Sequence, residues 1–173
     1  MLSHLYSRSM TESLIRPGQR HDLETVVAIY NHYVETSHVT FDSEPWTATN
    51  REAWLASFGN AGPHRLLVSE LHGKVTGWAS SSPLRHRPAY ARSVETTVDL
   101  QPGTEGERVG SMLYGALLDC LEGVHRAFAA IALPNPASIA LHRAHGFREV
   151  GRFGEAGFKH GRYWDVAWYQ RDW

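Results

Sequence analysis

Cys120 is the only cysteine, so no intrachain disulfide can form. That fits a reducing compartment, and the cytoplasm is the expected location. Long apolar runs are also missing: none approaches the roughly 18 residues of a membrane helix, so no membrane partner is expected. The opening MLSHLYSRSMTES lacks a basic segment followed by an apolar block and does not read as a signal peptide. Residues 1–12 are expected to form a flexible N-terminus. Neither sign of charge is in excess: 17 Lys and Arg face 18 Asp and Glu, for a formal net charge of −1. That balance argues against nucleic acid as a partner. Repeats, low-complexity tracts and dividing linkers are absent too. The 173 residues, 42% hydrophobic, then suit one domain over 13–173 with a sizeable core.

Common catalytic signatures are missing as well. There is no G-x-S-x-G, no Walker loop and no dinucleotide fingerprint. His142 and His145 stand three apart on a predicted helix, a metal-ligand spacing, but no HExxH and no third ligand accompany them, so no metal is expected. Cys120 falls on an apolar helix stripe, which suits an inert thiol.

What is present alternates strands and helices. SLIRPG reads as a short strand. HDLETVVAIYNHYVETS reads as a helix with Asp22 as N-cap and an apolar face of Val26, Ile29, Tyr30 and Tyr33. TATNREAWLASFGN is a second helix. RLLVSELHGKVTGWASSSP is a hairpin turning at His72-Gly73. ARSVETTVDL is a strand with Val94, Thr96, Val98 and Leu100 on one face and Glu95, Thr97 and Asp99 on the other. ERVGSMLYGALLDCLEG is a helix, RAFAAIAL a short interior strand and NPASIALHRAHGF a helix ended by Gly146. REVGRFGEAGFKHGRYWDVAWYQRDW closes the chain as two strands around a glycine-containing loop, with its tryptophans assigned to core or interface. The order predicts an α/β fold: a central mixed sheet of about seven strands flanked by about four helices.

Three places can carry chemistry. The turn between VETTVDL and the helix starting near Arg108 exposes backbone N–H groups that suit an anion, although many such turns bind nothing. Glu95 is either a carboxylate in a cleft, able to take a proton, or an ordinary polar residue on a solvated face. PLRHRPAYARS gathers Arg85, Arg87 and Arg92 around Tyr90, either to hold an acidic group or as a solvated basic loop.

Taken in order, YNHYVETSHVTFDSEP, PLRHRPAY, VETTV, LPNPASIALHRAHGF and AGFKHGRYWDVAWYQRD resemble the Gcn5-related N-acetyltransferases (GNAT), and within them the phosphinothricin acetyltransferase-like branch. The resemblance spans about Ile15 to Trp173. It implies a sheet splayed near its middle, acetyl-CoA as donor and, by the habit of relatives, a homodimer. Val98, Asp99 and Leu100 match the cofactor strand. Glu105, Gly106, Glu107, Arg108, Val109 and Gly110 match the pyrophosphate loop, with Ser111 following. Glu105 stands there where the family has Gln or Arg, and Arg108 replaces a glycine. Asn135, with Ser138 beside it, matches a contact to the CoA arm, and Tyr114 follows the family's helix pattern. Glu95 matches the catalytic carboxylate, and His142 a histidine of this branch suited to act as acid or hydrogen-bond donor on the thiolate side. Arg85, Arg87 and Tyr90 match the acceptor loop, Phe41 an aromatic at the acceptor pocket, and Lys159 and His160 a segment near it.

The function this implies is acetyl transfer from acetyl-CoA to the amine of a small acidic acceptor, an amino acid or an analogue such as phosphinothricin or methionine sulfoximine. Two alternatives stay open. Glu105 and Glu107 near a pyrophosphate would oppose it, leaving a GNAT-fold protein with weakened or lost CoA binding that acts by binding a ligand or partner. Acetylation of a protein, such as an N-terminus, is the other.

Overall fold

The computed structural model describes residues 13–104 and 108–173. Glu105 and Gly106, expected at the pyrophosphate, Glu107, and the N-terminus expected to be flexible lie outside the described residues. Strands β1 (Leu14–Pro17), β2 (Arg65–Leu71), β3 (Lys74–Pro83), β4 (Ser93–Leu100), β5 (Arg126–Ala132), β6 (Arg148–Lys159) and β7 (Arg162–Asp172) form one sheet in the order β1-β2-β3-β4-β5-β7-β6. Helices α1 (Leu23–Thr36), α2 (Ala48–Ala56), α3 (Val109–Asp119) and α4 (Pro136–Ala144) flank it. Element order agrees with the alternation read from the sequence.

The alternation of apolar residues along the strands explains the layers. Leu66, Val68, Val75 and Trp78 pack against Val26 and Ile29 of α1, with Trp54, Leu55 and Phe58 around them. Leu67, Ala79 and Val94 point the other way, into Leu113, Tyr114, Leu117 and Leu118 of α3. Turns follow the residues their dihedrals need: His72-Gly73 and His160-Gly161 both carry two positive φ values, the two-residue hairpin geometry. Asp22 is the N-cap residue of α1, as expected, but its side chain is engaged elsewhere. Its carboxylate does not cap α1; it accepts from Gln19 N–H at 2.8 Å and pairs with Arg16 at 2.7 Å, bracing a 3-10 turn (Arg20–Asp22) ahead of the helix.

One feature of the sheet positions the site. β4 and β5 are parallel and pair only over Ser93–Glu95 against Arg126–Phe128, after which they diverge. At the point of divergence Thr96 donates to the Phe128 carbonyl at 3.2 Å, so its single hydrogen is spent. The Tyr114 hydroxyl, fully buried, must then donate to Thr96 Oγ1 at 2.7 Å. α3, β4 and β5 are thereby tied at the start of the gap. Replacing Thr96 with valine leaves the Tyr114 hydroxyl and the Phe128 carbonyl each without this partner. The expected cost is about 1–3 kcal/mol, read as a lower denaturation midpoint at unchanged m-value.

Candidate active site

Three cavities meet along the diverging stretch of β4. The first, about 540 Å³, lies at the start of α3 and is walled by Val98, Leu100, Arg108, Gly110, Asn135 and Ser138 among others. The second, about 500 Å³, opens on the α1 and α2 side of the sheet and contains Glu95. The third, about 120 Å³, is the gap itself, between Thr96–Asp99 of β4 and Ala129–Ala132 of β5, with His142 at its side.

The first cleft is built for an extended, anionic ligand. Tyr33 donates its hydroxyl to the Leu100 carbonyl at 2.7 Å, so the backbone groups of Leu100 and, two residues back, of Val98 face away from β3 and toward the cleft. Because β5 has moved off, the sheet does not pair them on that side. α3 begins at Val109, so the N–H groups of Val109, Gly110 and Ser111 have no acceptor within the helix. Gly110 lets α3 sit close on β4: a Cβ there would lie 3.0 Å from Leu100 Cδ1, and that side chain would have to give way by a few tenths of an ångström. The helix start expected from the sequence is therefore intact. Arg108 caps it in the left-handed region, φ 61° and ψ 1°, the conformation a glycine would adopt without strain. The backbone path suited to glycine persists although the side chain has changed. Asn135 caps α4, its Oδ1 accepting from Ser138 N–H at 3.0 Å, which leaves its Nδ2 donor for the cleft.

The second pocket is lined by aromatic rings: Tyr30, Phe41, Trp46, Trp54, Trp78, Phe153 and Trp168. Glu95, Thr97 and Asp99, one face of β4, form its floor. Glu95 is half-buried; burial pushes its carboxyl above the ordinary range and the Arg85 guanidinium pulls it back. Asp99, matched to the cofactor strand, also lines this pocket with its side chain, and burial pushes it up to about 7. Trp78 Nε1 and Trp168 Nε1 are buried donors without hydrogen-bond partners.

Phe41 lines this pocket, its ring lying on Gly157 of β6. Lys159 and His160 do not line the pocket; they hold its roof. Lys159, buried, donates to the Thr40 carbonyl at 2.8 Å, and His160 Nε2 donates to the Ser37 carbonyl at 3.1 Å. Arg85 and Tyr90 line a side pocket of about 360 Å³ that shares Phe153 and Trp168 with the main one. Arg87 is exposed and lines neither.

His142 is buried beside the gap. Its Nδ1 lies 2.8 Å from the Ser138 carbonyl, which can only accept, so Nδ1 carries the hydrogen. Burial lowers its basicity and keeps the ring neutral, and the buried Nε2, without a partner, presents a lone pair. Among the described residues no group of His, Cys, Asp and Glu could hold a metal ion. The sequence reading missed Tyr30, Trp46, Trp78 and Trp168, the last being assigned to core or interface. Trp78 shared a strand face with Ser80 and Ser82, a usable signal for a pocket wall.

A family model described as an acetyltransferase (GNAT) domain matches residues 15–168. The chain is 51% identical to a phosphinothricin N-acetyltransferase of Streptomyces coelicolor, over 92% of this chain and 96% of that one. It is 33% identical to an L-methionine sulfoximine/L-methionine sulfone acetyltransferase of Pseudomonas aeruginosa, over 90% of this chain and 92% of the other. A phosphinothricin acetyltransferase of Sinorhizobium meliloti, solved in complex with acetyl-CoA, superposes with a TM-score of 0.86 at 31% identity, covering 94% of this chain and 89% of that one.

Two substitutions test the geometry. Both Arg108→Gly and Arg108→Ala remove the guanidinium, but only glycine relieves the left-handed backbone. The glycine variant should be the more stable of the two by about 1 kcal/mol, measured by denaturant titration. In Gly157→Ala the new Cβ would fall 2.2 Å from Phe41 Cζ, so the ring must leave its seat. Ligand affinity in the aromatic pocket should fall on the order of tenfold, about 1.4 kcal/mol, while affinity in the cleft at α3 stays unchanged, both read by calorimetry.

Proposed function

The chain belongs to the GNAT acetyltransferase family, and from that premise we propose that it transfers an acetyl group from acetyl-CoA to the amine of a small acidic acceptor, an amino acid or an analogue of the phosphinothricin or methionine sulfoximine kind. One observation carries the reading: the pocket with Glu95, the α3 cleft and the gap where β4 and β5 part all have Asp99 in their walls. Two reactants bound in these cavities can meet beside Asp99, at the gap.

The residues of the cleft fit the donor. Val98 and Leu100 offer backbone groups along its arm, Val109, Gly110 and Ser111 offer N–H groups to its pyrophosphate, and Asn135 and Ser138 close the other wall. When bound, acetyl-CoA supplies an activated acyl group. Arg108 lines the same cleft and adds a positive charge. Because the donors at the helix start are backbone groups, the altered side chains of the preceding turn leave them in place. This supports a working acetyltransferase over a binding protein that has lost CoA.

On the acceptor side, Glu95 takes a proton from the amine through a water. Arg85, in the side pocket, faces the acceptor's acidic end, and the unpartnered indole donors of Trp78 and Trp168 suit the oxygens of a sulfone, sulfoximine or phosphinate. The aromatic walls exclude water and hold the carbon chain. The assembly proposed is a homodimer in the cytoplasm: Val150, Phe158 and Tyr163 stay exposed on the β6–β7 hairpin, at the edge of the sheet. No helix among the described residues is long and apolar enough to cross a membrane.

The test is CoA release with a panel of amino acids and analogues, alongside calorimetry with acetyl-CoA. Glu95→Gln should lower kcat about 10²- to 10⁴-fold. The sign of the pH dependence follows from the base having to be ionised. kcat/KM falls as pH drops through the Glu95 pKa, which lies above the ordinary carboxylate range. Arg85→Ala removes the charge that lowers it, so that limb should move to higher pH. An unmoved limb would separate Glu95 from the base.

A further inference from the structure

Acetylating an ammonium group removes two protons from its nitrogen, forms one C–N bond and breaks one C–S bond. One proton ends on the sulfur and the other in solvent. Glu95 lines the acceptor pocket and the gap but not the donor cleft. His142, neutral with its hydrogen committed to the Ser138 carbonyl, has none to give at Nε2. The proton for the sulfur needs another carrier.

We propose that Asp99 is a second catalytic carboxyl, which takes one proton from the acceptor nitrogen and delivers it to the departing sulfur. The proposal rests on the acetyltransferase reading above. Among the described residues Asp99 is the one ionisable residue that lines all three cavities, so it reaches both the nitrogen and the sulfur side. Its Oδ2 is buried and has no hydrogen-bond partner, although buried polar atoms are normally paired. Glu95 is four residues away on the same strand face, about 13 Å along the backbone, so Asp99 takes the near proton directly and water carries the other one from the nitrogen to Glu95.

The surroundings suit a proton carrier. Tyr30 and Tyr33 face Asp99 from α1, Glu95 from its own strand, His142 from α4 and Arg108 from the start of α3, while its register partner on β3 is the neutral Trp78. Among the described residues lining these cavities, Arg108 is the one permanent cation. With burial pushing it to about 7, the carboxyl can both take and release a proton near neutral pH.

The steps balance. Asp99 enters as carboxylate. An N–H bond of the ammonium breaks, an O–H bond forms on Asp99, and the nitrogen keeps the electron pair that makes the C–N bond. As the C–S bond breaks with its pair on sulfur, Asp99 passes its proton there and is again a carboxylate. The second nitrogen proton leaves through the water at Glu95.

Asp99→Asn keeps the shape and removes the proton carrier. With acetyl-CoA and the best acceptor of the panel, kcat should fall about 100-fold while the acetyl-CoA Kd from calorimetry stays within about threefold and Asp99→Glu restores part of the rate. Infrared spectra of the unmutated protein on either side of neutral pH should show a protonated-carboxyl band that survives Glu95→Gln. A kcat kept within about threefold overturns the proposal. So does a loss of acetyl-CoA binding that matches the loss of rate, or the absence of the infrared band, which also decides the matter if Asp99→Asn does not fold. Failure of the unmutated enzyme to release CoA with any acceptor overturns the acetyltransferase reading and this inference with it; loss confined to the variants speaks to Asp99 alone.

Discussion

The chemistry depends on a sheet that stops pairing. β4 and β5 run together for three residues and then separate, and the Thr96 hydroxyl, spanning from the Tyr114 hydroxyl to the Phe128 carbonyl, marks where they do. A parallel pair that continued would close the gap and spend the β4 backbone groups on β5. Separation leaves those groups for a ligand and opens a passage between the two faces of the sheet. It is tolerated because both flanks are stiff. α3 packs Leu113, Tyr114 and Leu117 behind β4, while β5 is held along its full length by β7, from Arg126↔Asp172 to Ala132↔Val166.

The two faces then take different work. The α3 face supplies backbone donors and one guanidinium, which suits a ligand recognised by its phosphates. The α1 and α2 face supplies rings and two carboxyls, which suits a small amine whose proton must be removed. Its roof, residues 37–47, has no regular structure of its own and is fastened from a distant part of the chain. Lys159 and His160 hold the Thr40 and Ser37 carbonyls, Trp164 stacks on His38 at 3.9 Å, and Asp42 accepts from Tyr30 and Trp46. The β6–β7 hairpin thus shapes a pocket whose reactive groups lie on β4.

Much of this was legible beforehand for a local reason. Strand and helix periods expose which residues share a face, so the order of elements, the His72-Gly73 turn and the separation of Val94 and Thr96 from Glu95, Thr97 and Asp99 could be read directly. Glu95, Phe41, Asn135 and the start of α3, named from the resemblance, each line one of the cavities. Asp22 stands at the N-cap of α1 as read, but its carboxylate is drawn to Arg16 on another element. Lys159 and His160 were near the pocket by motif, but their role was set by carbonyls about 120 residues earlier in the chain.

By itself, then, the sequence determined the alternation of strands and helices, the polar face of β4 and the helix start beyond Arg108, because periodicity and turn chemistry act between near neighbours. Only the tertiary structure decided that Trp46, Trp78 and Trp168 wall one pocket, that His142 holds its hydrogen on Nδ1, and that Asp99 stands where three cavities join. Those properties come from desolvation and from partners brought together by the sheet. They exist only once β4 and β5 have parted in a packed core.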